Sequence, residues 1–246
     1  MVSSGVEPQE QAVYAGDAFG RASAGQSLHP GGQDLSERML SLCHLKAGVR
    51  VLDMACGTAG TVEMLQAGGD LFPIGIDHSM LMLQTGLTRK GGLPLACGWG
   101  RAIPLADECL EAALAECSFS TMAEPEAVLE EFRRVLRPGG RLALSDIYAR
   151  EPQGLPALHA LPMCCGLRNA LGRDELESLL QRHGFEIEVW EEQSPALLEF
   201  SRQAVLAHGS ASELWRQAEP AADAMDVIIA IHNARLGYYL LVARKV

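Results

Sequence analysis

The chain has 246 residues, of which 48% are hydrophobic and 21% are charged. A chain of this length buries roughly 70–75% of its unfolded surface, so it can fold as one α/β domain with appended helices. The formal net charge of −11 repels a phosphate backbone, which disfavours a nucleic-acid partner and favours a small molecule. No segment approaches the ~20 apolar residues of a membrane span, and the first residues lack a targeting signal. We therefore expect a cytoplasmic protein without membrane insertion.

The cysteines are odd in number and show neither a C-x-x-C pair nor zinc-ligand spacing, so we expect reduced thiols and no metal site. They are Cys43, Cys56, Cys97, Cys109, Cys117, Cys164 and Cys165. The adjacent Cys164 and Cys165 differ from the others, because two thiols side by side could bind a metalloid, attack a substrate or form a redox pair.

The chain begins with polar residues broken by glycines, and residues 1–32 are predicted to form an arm, flexible or capping the substrate. Apolar residues at helical spacing then predict a helix over 33–45. The following segments alternate between strands and helices. Strands are predicted at 49–54, 71–77, 112–117 and 141–146, and helices at 61–67, 80–88 and 125–136. Such alternation predicts a doubly wound parallel sheet.

The sequence changes character after residue 149. A loop rich in proline, glycine and cysteine occupies 150–172, and a helix (173–183) and a strand (185–191) follow. Helices at 195–208 and 212–233 precede a final strand at 237–243. We expect one domain over 33–246, in which the loop 150–172 and the helical insert 194–235 form a cap over the substrate.

The turn after the first strand, in VLDMACGTAG (51–60), has the features of a nucleotide-binding site. Gly57 and Gly60 allow a ligand to approach the backbone closely. Asp53 ends the first strand, and Asp77 ends the second, where a carboxylate can accept both hydrogen bonds of a ribose diol. The alternative interpretation is that the two aspartates cap helices.

Four motifs in order resemble class I S-adenosylmethionine-dependent methyltransferases, and in particular the small-molecule group related to ubiquinone and menaquinone biosynthesis. They are VLDMACGTAG, GIDHSMLML, RAIPLADECLEAALAECSFS and FRRVLRPGGRLALSDIY, the last with a PGG turn. The resemblance implies a Rossmann-like, mostly parallel seven-stranded sheet with an antiparallel last strand, and a helical insert between the last two strands. It also implies S-adenosylmethionine as the cofactor, S-adenosylhomocysteine as its product and methyl transfer to a small molecule.

The resemblance implies that a set of residues contacts the cofactor. They are Asp53, Ala55, Cys56, Gly57, Thr58, Asp77, His78, Met80, Trp99, Gly100, Arg101 and Glu116. The sequence departs from the family at Ala55 and Ala59, where glycine is usual, and at Trp99, where many relatives have an acidic residue. Trp99 either stacks on the adenine or packs in the core.

Methyl transfer is an in-line displacement, so the protein chiefly aligns the acceptor and excludes water. Candidates for a catalytic role lie after the fourth and fifth strands and in the capping loop: Glu116, Asp146, Tyr148, Cys164 and Cys165. Further candidates are Tyr14, His29, His159 and His232. Cys117 is either a buried apolar residue or a functional thiol. Our hypothesis for Cys164 and Cys165 is that they contact the substrate.

Two other functional classes fit parts of the sequence. Ala55, Gly57 and Gly60 form an A-x-G-x-x-G variant of the dinucleotide fingerprint, which favours an NAD(P)-dependent Rossmann oxidoreductase. The departures at Ala55, Ala59 and Trp99 favour a non-catalytic, methyltransferase-like binding protein. The sequence leaves open whether the protein is a monomer or a homodimer.

Overall fold

A computed structural model describes residues 29–163 and 165–246. The predicted arm up to residue 28, with Tyr14, and Cys164 lie outside the described residues. Within them, seven strands form one sheet in the order β3-β2-β1-β4-β5-β7-β6. The strands are β1 (Arg50–Met54), β2 (Phe72–Asp77), β3 (Leu95–Cys97), β4 (Leu110–Glu116), β5 (Leu136–Ala149), β6 (Phe185–Glu192) and β7 (Leu236–Lys245).

Neighbouring strands are parallel except at β7, which is antiparallel to both β5 and β6. This topology confirms the predicted fold class. The order of the strands reverses between β1 and β4, and in open α/β sheets ligands bind beyond the carboxyl ends of the strands at such a switch point.

Nine α-helices are present in the described part of the chain. They are α1 (Gly32–Leu42), α2 (Gly60–Gly68), α3 (Met80–Arg89), α4 (Pro125–Val135), α5 (Leu155–His159), α6 (Arg173–Arg182), α7 (Ser194–His208), α8 (Ala211–Ala218) and α9 (Ala224–Ala234). The last three form the predicted insert between β6 and β7. No helix among the described residues combines the length and the hydrophobicity that crossing a membrane requires.

Side chains that alternate along the strands build an apolar layer on each face of the sheet. Leu142 and Leu144 of β5 belong to the layer that contains Phe132 of α4. Ala143, between them, belongs to the opposite layer, which contains Met39 of α1. The strands are thus buried on both faces, and the polar residues at their ends are left to form sites.

Two elements differ from the predicted pattern. The strand β3 was not predicted, because three residues after Pro94 are too few to show a periodicity. The helix predicted over 212–233 is wrong, since the segment forms two helices, α8 and α9. Pro220 separates them, and the Asp223 side chain starts α9 by accepting hydrogen bonds from the N–H groups of Met225 and Asp226.

The PGG segment is a bulge within β5 and not a turn ahead of it, which corrects the predicted start of this strand. Leu136 pairs with Leu110, and the next pair joins Arg141 to Ala112, so Pro138–Gly140 lies in the irregular part of the ladder. Gly139 has φ +75°, a conformation that favours glycine.

Candidate functional site

Three carboxylates meet at the carboxyl ends of the adjacent strands β2, β1 and β4. Asp53 is the second-last residue of β1, Asp77 ends β2 and Glu116 ends β4. All three side chains are buried: Asp53 is 4% exposed, Asp77 is 5% exposed, and the Glu116 side chain is 5% exposed. The sequence predicted Asp53 and Asp77 at strand ends, and the parallel sheet brings them to the same edge as Glu116.

The three carboxylates repel one another in a poorly solvated environment. The pKa of Asp53 is raised well above its ordinary value, first by burial and then by the charges of Glu116 and Asp77. Burial disfavours the charged form of a carboxyl group, and a like charge nearby disfavours it further. A cation placed among these groups would offset both effects, so the site is suited to a positively charged ligand.

Asp77 holds the glycine-rich turn in place. Its Oδ2 accepts a hydrogen bond from the Gly57 N–H at 2.8 Å, and its Oδ1 accepts one from the Ser79 N–H at 2.7 Å. A carboxylate oxygen has two lone-pair sites, so Asp77 can bind the turn and still accept hydrogen bonds from a diol. The helix-capping interpretation is wrong for Asp77, because Ser79 is the N-cap residue of α3 and its own side chain accepts the capping hydrogen bond from the Met82 N–H.

Glu116 is fixed by hydroxyl groups from two helices. It accepts hydrogen bonds from Ser36 Oγ at 2.7 Å and from Thr61 Oγ1 at 2.8 Å, and His29 Nε2 lies 3.4 Å from its carboxylate. The candidate His29 is therefore part of the site. Sequence reasoning missed Ser36 and Thr61, because nothing local marks a hydroxyl whose partner lies 80 or 55 positions away.

The backbone around the three carboxylates adopts left-handed conformations at residues that have a side chain. Ala55 has φ +60°, Ala59 has φ +64°, and Cys117, directly after Glu116, has φ +50°. L-residues other than glycine pay roughly 1–2 kcal/mol for this conformation. Gly57, at φ +54°, provides the open backbone, since an added Cβ would meet only Met82 Cε at 3.6 Å.

Aromatic rings form the wall beyond β2 and β3. The His78 and Trp99 rings are stacked, with centroids 4.7 Å apart and an interplanar angle of 27°. The Arg101 guanidinium lies 5.4 Å from the Trp99 ring centroid, and it forms an ion pair with Glu124 at 2.9 Å. Trp99 is half-buried and outside the two main apolar layers, so of the two alternatives for this residue, packing in the core is wrong.

Other candidate cofactor residues line the same edge. Gly100 is buried, with Met122 Sδ 3.0 Å from where a Cβ would lie, and the side chain of Met80 is exposed at the start of α3. Thr58 contributes its carbonyl oxygen to Arg89 at 2.9 Å. Burial raises the pKa of the Cys56 thiol, and Asp53 and Asp77 raise it further, so this thiol is protonated and not a nucleophile.

Because β5 extends to Ala149, Asp146 lies within this strand and not after it as predicted, and Ser118 lies two residues after β4; both are buried, but their environments differ. Asp146 accepts hydrogen bonds from Ser120 N–H at 2.8 Å, Ser120 Oγ at 2.9 Å and Ile147 N–H at 2.7 Å. Burial raises the pKa of Asp146 to about 6, although these hydrogen bonds oppose the shift. Asp146 thus anchors the short 3₁₀ turn Phe119–Thr121. The Ser118 hydroxyl is buried and lacks a hydrogen-bond partner within the described residues.

Tyr148 lies apart from the three carboxylates. Its hydroxyl donates a hydrogen bond to Glu192, and its ring packs edge-on against Trp190 and Tyr239, with centroids 5.4 and 6.1 Å away. Burial and Glu192 raise the pKa of Tyr148 to about 12. The structure therefore places this candidate in an aromatic cluster against β6.

Cys165 contacts the helical insert. Its backbone N–H donates to Glu219 Oε1 at 2.9 Å, and Glu219 is itself only 3% exposed. The pKa of the Cys165 thiol is raised, first by burial and then by Glu219, which disfavours the thiolate. His232 is exposed on α9. The described residues contain no group of three side chains arranged to hold a metal ion.

A cleft of about 440 Å³ opens beside the turn Phe119–Thr121. Most of its lining side chains are apolar, and its polar lining groups include Arg168, Asn169 and His159 from the predicted capping loop. Asn169 Nδ2 donates to the Ser120 carbonyl oxygen at 2.9 Å, which joins that loop to the turn. Sequence reasoning named only His159 among these residues.

Comparison with known proteins gives one family match: a model of the methyltransferase domain matches residues 52–144. The demethylmenaquinone methyltransferase of Paenarthrobacter aurescens is 34% identical over 103 residues, which cover 42% of this chain and 40% of that protein. The corresponding enzyme of Mycobacterium tuberculosis is 35% identical over 107 residues, which cover 43% and 44%. The chain thus matches about two fifths of the length of these curated relatives.

Among solved structures, the [4+2]-cyclase SpnF is 26% identical, with a TM-score of 0.74, and the match covers 96% of this chain and 95% of that chain. A putative sarcosine dimethylglycine methyltransferase from Galdieria sulphuraria is 15% identical, with a TM-score of 0.71 and coverage of 93% and 98%. The curated relatives therefore match about two fifths of the chain, and these solved structures match nearly all of it.

Proposed function

We propose that the protein binds S-adenosylmethionine and transfers its methyl group to a small-molecule acceptor, because a model of the methyltransferase domain matches residues 52–144. The observation that carries the proposal is the buried cluster of Asp53, Asp77 and Glu116, in which the pKa of Asp53 is raised. S-adenosylmethionine has a sulfonium and an ammonium group, so its charge fits the cluster.

The proposed roles of the residues follow from their positions. Asp53 and Glu116 attract the cationic methionine moiety, and Asp77 binds the ribose diol. Trp99 and His78 form an aromatic wall for the adenine, and the Ser118 hydroxyl, which has no partner within the described residues, lies two positions after Glu116 in the chain. Gly57 admits the ligand to the backbone. The sulfonium supplies the methyl group, and the protein aligns the acceptor with it and excludes water.

The names of the curated relatives do not choose an acceptor for this protein, because each match covers only about two fifths of either chain. The residues proposed to cover the acceptor lie in the loop 150–172 and the insert 194–235. Cys164 and Cys165 stay candidates for contact with it. We further propose a cytoplasmic monomer or homodimer that does not bind nucleic acids, since the net charge is −11.

Calorimetric titration with S-adenosylhomocysteine and with NADH tests the cofactor. We expect S-adenosylhomocysteine to bind more tightly than NADH, and tighter NADH binding would point to the oxidoreductase, which the comparisons do not favour. Transfer of labelled methyl to a panel of oxygen, nitrogen, sulfur and metalloid acceptors, with and without reductant, tests the activity. Labelled product in any arm supports the proposal.

A second candidate function is the cyclisation of a bound substrate. The observation that favours it is the match to the [4+2]-cyclase SpnF over nearly the whole of both chains. A largely apolar cleft suits a reaction that needs a folded substrate conformation and no charged catalyst. Tight binding of S-adenosylhomocysteine together with an empty methyl-transfer panel would favour this function over the first.

A further inference from the structure

We propose that the cleft beside the turn Phe119–Thr121 is the acceptor site, and that Arg168 selects acceptors with an apolar body and a carboxylate or similar oxyanion. The role of the cleft as acceptor site rests on the proposed methyl transfer. The preference of the cleft for an anionic ligand does not depend on it. At about 440 Å³ the cleft is in the range of small-ligand sites.

The walls of the cleft are apolar and firmly held. Phe119, Leu176 and Tyr239 line it and are each less than 5% exposed. Met122 and Leu171 add apolar surface that is only partly buried. A ligand body placed here would exchange water contacts for hydrocarbon contacts, which favours binding.

Arg168 is the charged group that is available to a ligand. It is exposed and lines the cleft, and it forms no ion pair within the described part of the chain. The Glu124 carboxylate also lines the cleft, but it is paired with Arg101 at 2.9 Å. His159 adds no negative charge, because an imidazole is neutral or cationic, and its Nε2 donates to the Ala170 carbonyl oxygen at 2.9 Å. The balance favours an anionic group next to Arg168.

The segment that carries Arg168 is fixed against the site. Asn169, the next residue, donates from its side chain to the Ser120 carbonyl oxygen, and Ser120 in turn is held by Asp146. Gly166 packs so closely that an added Cβ would lie 2.3 Å from Ser120 Oγ. Arg168 therefore projects from a supported backbone, which lowers the entropic cost of binding. A planar guanidinium binds a carboxylate or a phosphate through two parallel hydrogen bonds.

Calorimetry on the full chain with three bicyclic probes tests this site. The probes are 2-naphthoate, 2-naphthyl phosphate and the neutral 2-naphthamide. We expect at least one anion to bind about 10-fold or more tightly than the amide, since a charge-assisted hydrogen bond contributes about 1.5–3 kcal/mol. Comparison of the two anions identifies which oxyanion geometry the site prefers.

Two variants locate the effect and one controls for charge. Arg168→Gln should lower the affinity for the anion about 10-fold and leave the amide unchanged. Arg182→Gln, at an exposed arginine in the last turn of α6 and outside the cleft, should change neither. Ala123→Trp should block all three probes, because Ala123 lines the cleft at an exposed position.

The inference is overturned if neither anion binds, if the amide binds as tightly as both anions, or if Arg168→Gln leaves the preference intact. It is also overturned if Ala123→Trp leaves binding unchanged. Titration with S-adenosylhomocysteine in the same variants keeps the two proposals separate. S-adenosylhomocysteine should bind to all three variants. If it does not bind to the unaltered protein, the proposed function is contradicted. The titrations with the naphthyl probes then still test the proposed binding preference of the cleft.

Discussion

The carboxyl edge of β2, β1 and β4 and the cleft beside Phe119–Thr121 are built in opposite ways. At the first, buried carboxylates repel one another and left-handed alanines strain the backbone. At the second, apolar side chains pack around an arginine that has no ion-pair partner in the described chain. The arrangement of the first region lowers the stability of the free protein and favours the binding of a cation. In the second region, the packing that forms the cleft also stabilises the fold.

This contrast assigns cofactor binding to the acidic edge and most of the packing stability to the region around the cleft. Substitutions at the acidic edge should change ligand binding strongly and stability in either direction. Substitutions in the packed region around the cleft should lower stability and leave cofactor binding unchanged. The four substitutions below test this contrast.

The largest effect is expected from Asp77→Ala. It removes two hydrogen bonds to backbone N–H groups and the proposed ribose contact. We expect the affinity for S-adenosylhomocysteine to fall at least about 100-fold and the free energy of unfolding to fall by about 2 kcal/mol. Calorimetry and urea denaturation measure the two effects. Asp70→Ala, at an exposed position, is the control and should change neither.

Asp53→Asn should weaken binding and yet stabilise the free protein. The pKa of Asp53 is raised in the folded state, so its contribution to stability is present below the unfolded-state pKa and is lost as the pH rises through the folded-state pKa. The variant should therefore be more stable than the parent by at least about 1 kcal/mol at pH 8 and by less at pH 5. A parent that is more stable than the variant at pH 8 would contradict the electrostatic account of this edge.

Tyr148→Phe tests the packed region. The hydroxyl that donates to Glu192 is lost and the ring contacts remain, so we expect a loss of about 1 kcal/mol in the free energy of unfolding. Binding of S-adenosylhomocysteine should be unchanged. A large loss of binding would mean that Tyr148 belongs to the ligand site, as the sequence alone suggested.

The smallest effect is expected from Ala55→Gly. Glycine relieves the left-handed strain at φ +60° but adds entropy to the unfolded chain, so the net gain should not exceed about 1 kcal/mol. The matched control is Ala127→Gly inside α4, where the same exchange should cost about 1 kcal/mol. Thermal unfolding of both variants measures the difference, and equal losses would show that the turn is not strained.

The fold and the acidic edge were predictable because their signals are local. Apolar strands alternate with helical periods, and Asp53 and Asp77 end strands that are adjacent in the sheet. The resemblance to class I methyltransferases is confirmed by the family match over 52–144. The positions of Asp53 and Asp77 at this edge could be predicted because the two residues lie within about thirty positions of one another.

The rest depended on contacts between distant residues. Ser36 and Glu116 are 80 positions apart, and Cys165 and Glu219 are 54 positions apart. The orientation of Tyr148 toward Glu192 is set by the pairing of β5 with β7 and of β7 with β6. The proposed role of Arg168 could not be predicted from the sequence, because an arginine in a loop has no distinguishing feature when its neighbours in space are unknown.

The stacking of Trp99 on His78 makes the fluorescence of Trp99 a reporter of ligand binding at this wall. The chain contains three tryptophans, and the other two, Trp190 and Trp215, lie outside this wall. Replacing those two with phenylalanine would leave Trp99 as the single source of indole emission. A ligand that parts or covers the two rings would then change the intensity in real time, so cofactor exchange could be followed without an isotope or a dye.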